Sequence, residues 1–78
     1  MTPSELIERL KNESSDLNYK IEKLHIFLNS DKFAELTDYH QKLLVLQFNY
    51  MSDYSNVLSI RLELLERYPN ESTKLQGD

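Results

Sequence analysis

The sequence predicts an all-α protein, an antiparallel helical hairpin closed by a short bridging helix. Three observations carry this. From Gln41 to Tyr68 there is no Gly or Pro, and Leu44, Met51, Leu58 and Leu65 recur every seven residues, the spacing of one helix face. Leu10, Leu17 and Leu24 recur at the same interval earlier in the chain, beside a second row of Ile7, Ile21 and Leu28. Between the two stretches stand Ser30 and Thr37, residue types that start helices by accepting a backbone N–H.

Helix 1 is expected at about residues 3–29. Thr2 can cap it, Pro3 suits the first helical position, and Glu5 sits where a capping box places its acid. Asn12-Glu13-Ser14-Ser15-Asp16 is poor in helix formers apart from Glu13. One helix is favoured there over two pieces, with Ser14 or Ser15 as the cap of a second piece if it breaks. Asn29-Ser30-Asp31 stops the helix. A bridge at about residues 31–36 then presents Phe33 and Leu36 to plug the end of the hairpin. Thr37 caps helix 2, expected at about residues 38–68 and about 45 Å long at 1.5 Å per residue. Pro69 and Asn70 end it. Residues 69–78 are polar and read as a loose tail.

Helix 2 is more apolar than one partner helix requires. Beside the row through Leu44 runs another of Gln47, Tyr54, Arg61 and Tyr68, and the two read as one stripe on a core face. Leu43, Tyr50, Val57 and Leu64 form a third row, with Leu46, Phe48, Ile60 and Leu62 beyond it. A hairpin partner covers about three positions in seven. The surplus predicts a homo-oligomeric helical bundle, a dimer or tetramer.

Composition narrows the function classes. A chain of 78 residues is one domain at most and marginal as a monomer. It has no Cys, so neither disulfides nor thiolate metal sites can staple it. His25 and His40 have no paired spacing, so no metal is expected. Thirteen acidic and nine basic residues give a net charge of −4, which argues against a duplex nucleic-acid binder. No apolar run reaches the roughly 20 residues of a membrane span, and the N-terminus lacks the basic and apolar regions of a secretory signal. A cytoplasmic protein is expected.

No nucleophile, base and orienting group can be proposed together, and there is no Gly-rich phosphate loop. The chain therefore reads as a non-enzyme without cofactor. Arg61 stands out because a guanidinium set in an interface stripe must be paired. A carboxylate such as Glu22 or Asp53 could pair it, its stem could lie flat with the head in water, or it could bind an anion. Gln47, Tyr54 and Arg61 at seven-residue steps supply an amide, an aromatic face and a planar fork. That set could stack a base and bind phosphate, or form a register-fixing polar layer in a bundle. Lys20 and Lys23 could add charge across the hairpin.

Over residues 17–65 the pattern resembles a group of small tailed-phage accessory proteins. The matching positions are Lys23, Leu24, Phe27 and Leu28; Phe33 and Leu36; then Leu43, Leu44, Gln47, Met51, Tyr54, Leu58 and Arg61. Proteins of this look include sponges that counter cyclic-oligonucleotide antiphage signalling (anti-CBASS proteins). The resemblance implies a phage immune-evasion protein in the host bacterial cytoplasm that sequesters a cyclic dinucleotide without cleaving it. Its ligand would meet Lys20, Lys23, Gln47, Tyr50, Tyr54 and Arg61. A helical inhibitor of a host enzyme and a small structural coiled-coil phage protein are the alternatives.

Overall fold

The computed structural model describes residues 2–68. Among them the chain forms three helices and no strand: α1 (Pro3–Leu28), α2 (Asp31–Ala34) and α3 (Asp38–Arg67). The expected tail at 69–78 lies outside the described residues. α1 and α3 pack antiparallel as a helical hairpin. Residues whose numbers sum to about 70 meet across it, as Tyr54 meets Glu13 and Ser55 meets Asn18. The molecule is a rod of 50 × 19 × 18 Å.

Each helix start follows from its cap. Thr2 Oγ1 accepts the Glu5 N–H at 3.1 Å, and the Thr2 hydroxyl donates to the Glu5 carboxylate at 3.1 Å. Ser30 Oγ accepts from Phe33 N–H at 3.4 Å and donates to the Phe27 carbonyl at 2.6 Å. It thereby serves the end of α1 and the start of α2 together. Thr37 Oγ1 accepts from His40 N–H at 3.2 Å. α1 passes Ser14 and Ser15 without a break.

The helix of the bridge is shorter than the expected 31–36, with turn hydrogen bonds continuing to Leu36, and a side chain from α3 binds its end. The Gln41 amide donates to the carbonyls of Phe33, Ala34 and Leu36 at 3.1, 3.4 and 3.0 Å. Carbonyls at the end of a helix have no partner within it. Gln41 supplies one, and α2 ends at Ala34 with Glu35 as its cap. Phe33 packs edge-on against Phe27, ring centres 6.3 Å apart. At the other end Tyr68, before Pro69, takes φ −131 and ψ 68 and stops α3.

The seam differs from the expected stripe. Leu44, Met51, Leu58 and Leu65 do turn toward α1, but the row beside them is Phe48, Ser55 and Leu62, all at least half-buried. Gln47, Tyr54 and Tyr68 are exposed, and Arg61 is half-buried. Both rows flank Leu44 on a helical wheel, one four residues on and the other three. α1 approaches from the Phe48 side, where His25 also lies, its ring 5.8 Å from that of Phe48. Phe48 and Leu62 therefore belong to the hairpin and not to the surplus surface.

The fully buried apolar side chains among the described residues are Leu10, Leu58 and Leu65. They cluster at the open end of the hairpin, with Leu6, Ile7, Leu17 and Leu62 against them. Each buried leucine contributes about 1.5–3 kcal/mol. Toward the middle the seam turns polar at Ser14, Ser52 and Ser55, all half-buried. There the Ser55 hydroxyl donates to Asn18 Oδ1 at 2.7 Å.

Candidate functional site

The polar waist opens on one side into a cleft of about 470 Å³, lined by Arg9, Asn12, Glu13, Asp16, Leu17 and Lys20 of α1 and by Tyr54 of α3. The α1 residues fall at three- and four-residue steps, so they share one face. Tyr54 stands three residues after Met51 in the seam, which places its ring at the edge of the hairpin.

The Tyr54 hydroxyl donates to the Glu13 carboxylate, which ties the two helices together at the cleft. This bond holds the Tyr54 phenol above the ordinary tyrosine value; partial burial and the Glu13 charge push the same way, and the Arg61 charge opposes them. The phenol is thus a neutral donor at physiological pH, with an aromatic face 42% exposed. The cleft carries both signs: Arg9 and Lys20 against Glu13 and Asp16, with Arg61 close enough for its charge to act on Tyr54.

Of the residues singled out in the sequence, Lys20 and Tyr54 meet in this cleft, and Arg61 lies in electrostatic reach. Lys23 does not line it; its ammonium sits 5.2 Å from the centre of the Tyr19 ring. The Gln47 amide lies 3.8 Å from the Met51 sulfur. Tyr50 is 68% exposed on the open face of α3. Arg9, Asn12, Glu13 and Asp16 also line the cleft, and the sequence does not single them out. Their three- and four-residue spacing was a signal, but nothing in the sequence says which polar face of a helix meets a neighbour.

Among the described residues no group of three His, Cys, Asp or Glu could hold a metal ion. No helix there is long and apolar enough to cross a membrane.

Fold and cleft define a small all-α hairpin with a polar groove between its helices. The Sequestin family model matches residues 4–64, and the chain belongs to that family. The name denotes sequestration, which fits an accessory protein that binds and holds a molecule. No curated protein and no solved structure matches the chain.

Proposed function

We propose that this protein binds a cyclic dinucleotide signal of host antiphage defence and sequesters it without cleaving it. The observation that carries this reading is the Tyr54 cleft, in which Arg9 and Lys20 stand among Glu13 and Asp16 on the α1 wall with Arg61 nearby, in a member of the Sequestin family. An exposed aromatic face stacks on a base, and guanidinium and ammonium groups take phosphate oxygens. In this reading Arg61 and Lys20 hold phosphate or a guanine edge, with Lys23 adding charge from the adjoining turn of α1. Tyr54 stacks on a base, Tyr50 on a second, and Gln47 hydrogen-bonds a base edge or ribose. Sequestration needs only affinity, so the lack of a nucleophile–base pair in the cleft suits it.

The test is a thermal-shift screen against cyclic di- and trinucleotides. A ligand at 100 times its Kd adds about 2.7 kcal/mol, several degrees for a chain this size. One or two members of the panel should give that shift, the ligand should be recovered intact, and Arg61→Ala should remove the shift while helicity stays unchanged. A flat panel sinks the reading. The exposed apolar row of α3 then favours the second one, a helical inhibitor that docks on a host enzyme.

A further inference from the structure

The polar waist has a second opening, on the other flank of α1. A groove of about 500 Å³ lies there, with Lys11, Ser15, Asn18 and Glu22 along α1 and Tyr19 beside them. Ser14 and Leu62, both half-buried, form its floor. On a helical wheel Lys11, Ser15, Asn18 and Glu22 fall on one side of the row through Leu10, Ser14 and Leu17, and Arg9, Glu13, Asp16 and Lys20 fall on the other. Tyr54 and Ser55, neighbours in α3, bond α1 on the two sides, to Glu13 and to Asn18. The Tyr54 cleft therefore uses only one side of the waist.

The two sides differ in chemistry. Asn18 Oδ1 accepts from the Ser55 hydroxyl at 2.7 Å, so Asn18 presents its NH2 group, a donor, to the groove. The Lys11 ammonium and the hydroxyls of Ser14 and Ser15 add further donors within two turns of α1. Glu22, the carboxylate of the lining, stands about 16 Å from Lys11 along the helix at 1.5 Å per residue. In the Tyr54 cleft, by contrast, Glu13 and Asp16 stand between Arg9 and Lys20. A cluster of donors with no carboxylate set among them suits an oxyanion such as phosphate. Tyr19 follows Ser15 by one turn and is 61% exposed. The Lys23 ammonium, between the two grooves, lies 5.2 Å from the centre of that ring. An exposed ring stacks on a base of any identity. Donor cluster and aromatic face thus lie one turn apart, and in a nucleotide a ribose joins the groups that each would take.

We propose that this groove is a second ligand site, which takes a nucleoside monophosphate independently of the Tyr54 cleft. Lys11, Ser14, Ser15 and Asn18 hold the phosphate, and Tyr19 stacks on the base. Glu22 stands at the base end, away from the phosphate. Neither contact reads a base edge, so the site takes nucleotides as a class and favours purines for their larger stacking face. It does not rest on the cyclic-dinucleotide reading.

The experiment titrates AMP, adenosine and ribose 5-phosphate separately into the full chain and follows them by proton–nitrogen correlation NMR. AMP should saturate. The side-chain amide signal of Asn18 should move with it, while that of Asn12, in the Tyr54 cleft, stays still. Adenosine and ribose 5-phosphate should each bind about tenfold more weakly, because each lacks one end of the ligand. Lys11 and Tyr19 are exposed, and Ala suits a helix. Lys11→Ala and Tyr19→Ala should each weaken AMP about tenfold at unchanged helicity. Failure of AMP to saturate, adenosine binding as tightly as AMP, or movement of Asn12 in place of Asn18 would each overturn the proposal. So would full AMP affinity in Tyr19→Ala. A flat cyclic-dinucleotide panel beside saturating AMP removes the proposed function and keeps this site.

Discussion

The Tyr54–Glu13 hydrogen bond puts a carboxylate inside a cleft that, in the proposed function, receives a dianion. Glu13 fixes the phenol but repels the ligand. Glu13→Gln keeps an acceptor for Tyr54 and removes the like charge. It should tighten binding of a cyclic dinucleotide several-fold, less so as salt rises, as read by titration calorimetry. Weaker binding would show that the charge positions Tyr54 more than it opposes the ligand. The same bond has a pH signature. The phenol's folded value is raised above the ordinary 10.0, so its contribution to stability is complete below that pH. It is lost as pH rises through the folded value. The gap in urea midpoint between wild type and Tyr54→Phe should hold steady at neutral pH and close in strong alkali. A gap that widened there would refute the assignment.

At the scale of the element, the hairpin's turn depends on Gln41. Its amide serves the Phe33 and Ala34 carbonyls at the end of α2 and that of Leu36 just beyond, and it is half-buried. Gln41→Ala should cost about 0.5–1.5 kcal/mol for the lost bonds, more if the carbonyls stay dry. Leu58 is fully buried, and Leu58→Ala should cost about 2–5 kcal/mol. Urea unfolding checks both, and equal losses would place the core elsewhere. The caps at Thr2, Ser30 and Thr37 were legible because an N-cap needs only its neighbours. The Gln41 contact was not, because it reaches the bridge from seven or eight residues away.

For the whole molecule, a hairpin with so small a core should be far more stable when paired. The melting temperature should climb by several degrees from micromolar to millimolar protein. A melting temperature independent of concentration would mean that the hairpin stands alone. In the proposed function a cyclic dinucleotide would raise it again at fixed protein concentration.

Local rules determined much of this protein from the sequence itself. The helix class, the caps, the uninterrupted length of α3 and the excess of apolar rows on it all follow from spacing and from residues within a turn of one another. The tertiary structure decided which rows meet. Leu44 and its repeats have an apolar row on one flank and Gln47, Tyr54 and Arg61 on the other, and a helical wheel treats the flanks alike. Only the approach of α1 chose Phe48, Ser55 and Leu62 for the seam, which left Tyr54 at the edge. Glu13 could join the cleft only once antiparallel packing brought residues 41 apart in the chain into contact. Sequence periodicity sets the angle of a side chain about its own helix axis, and the position of the neighbouring helix sets what that side chain touches.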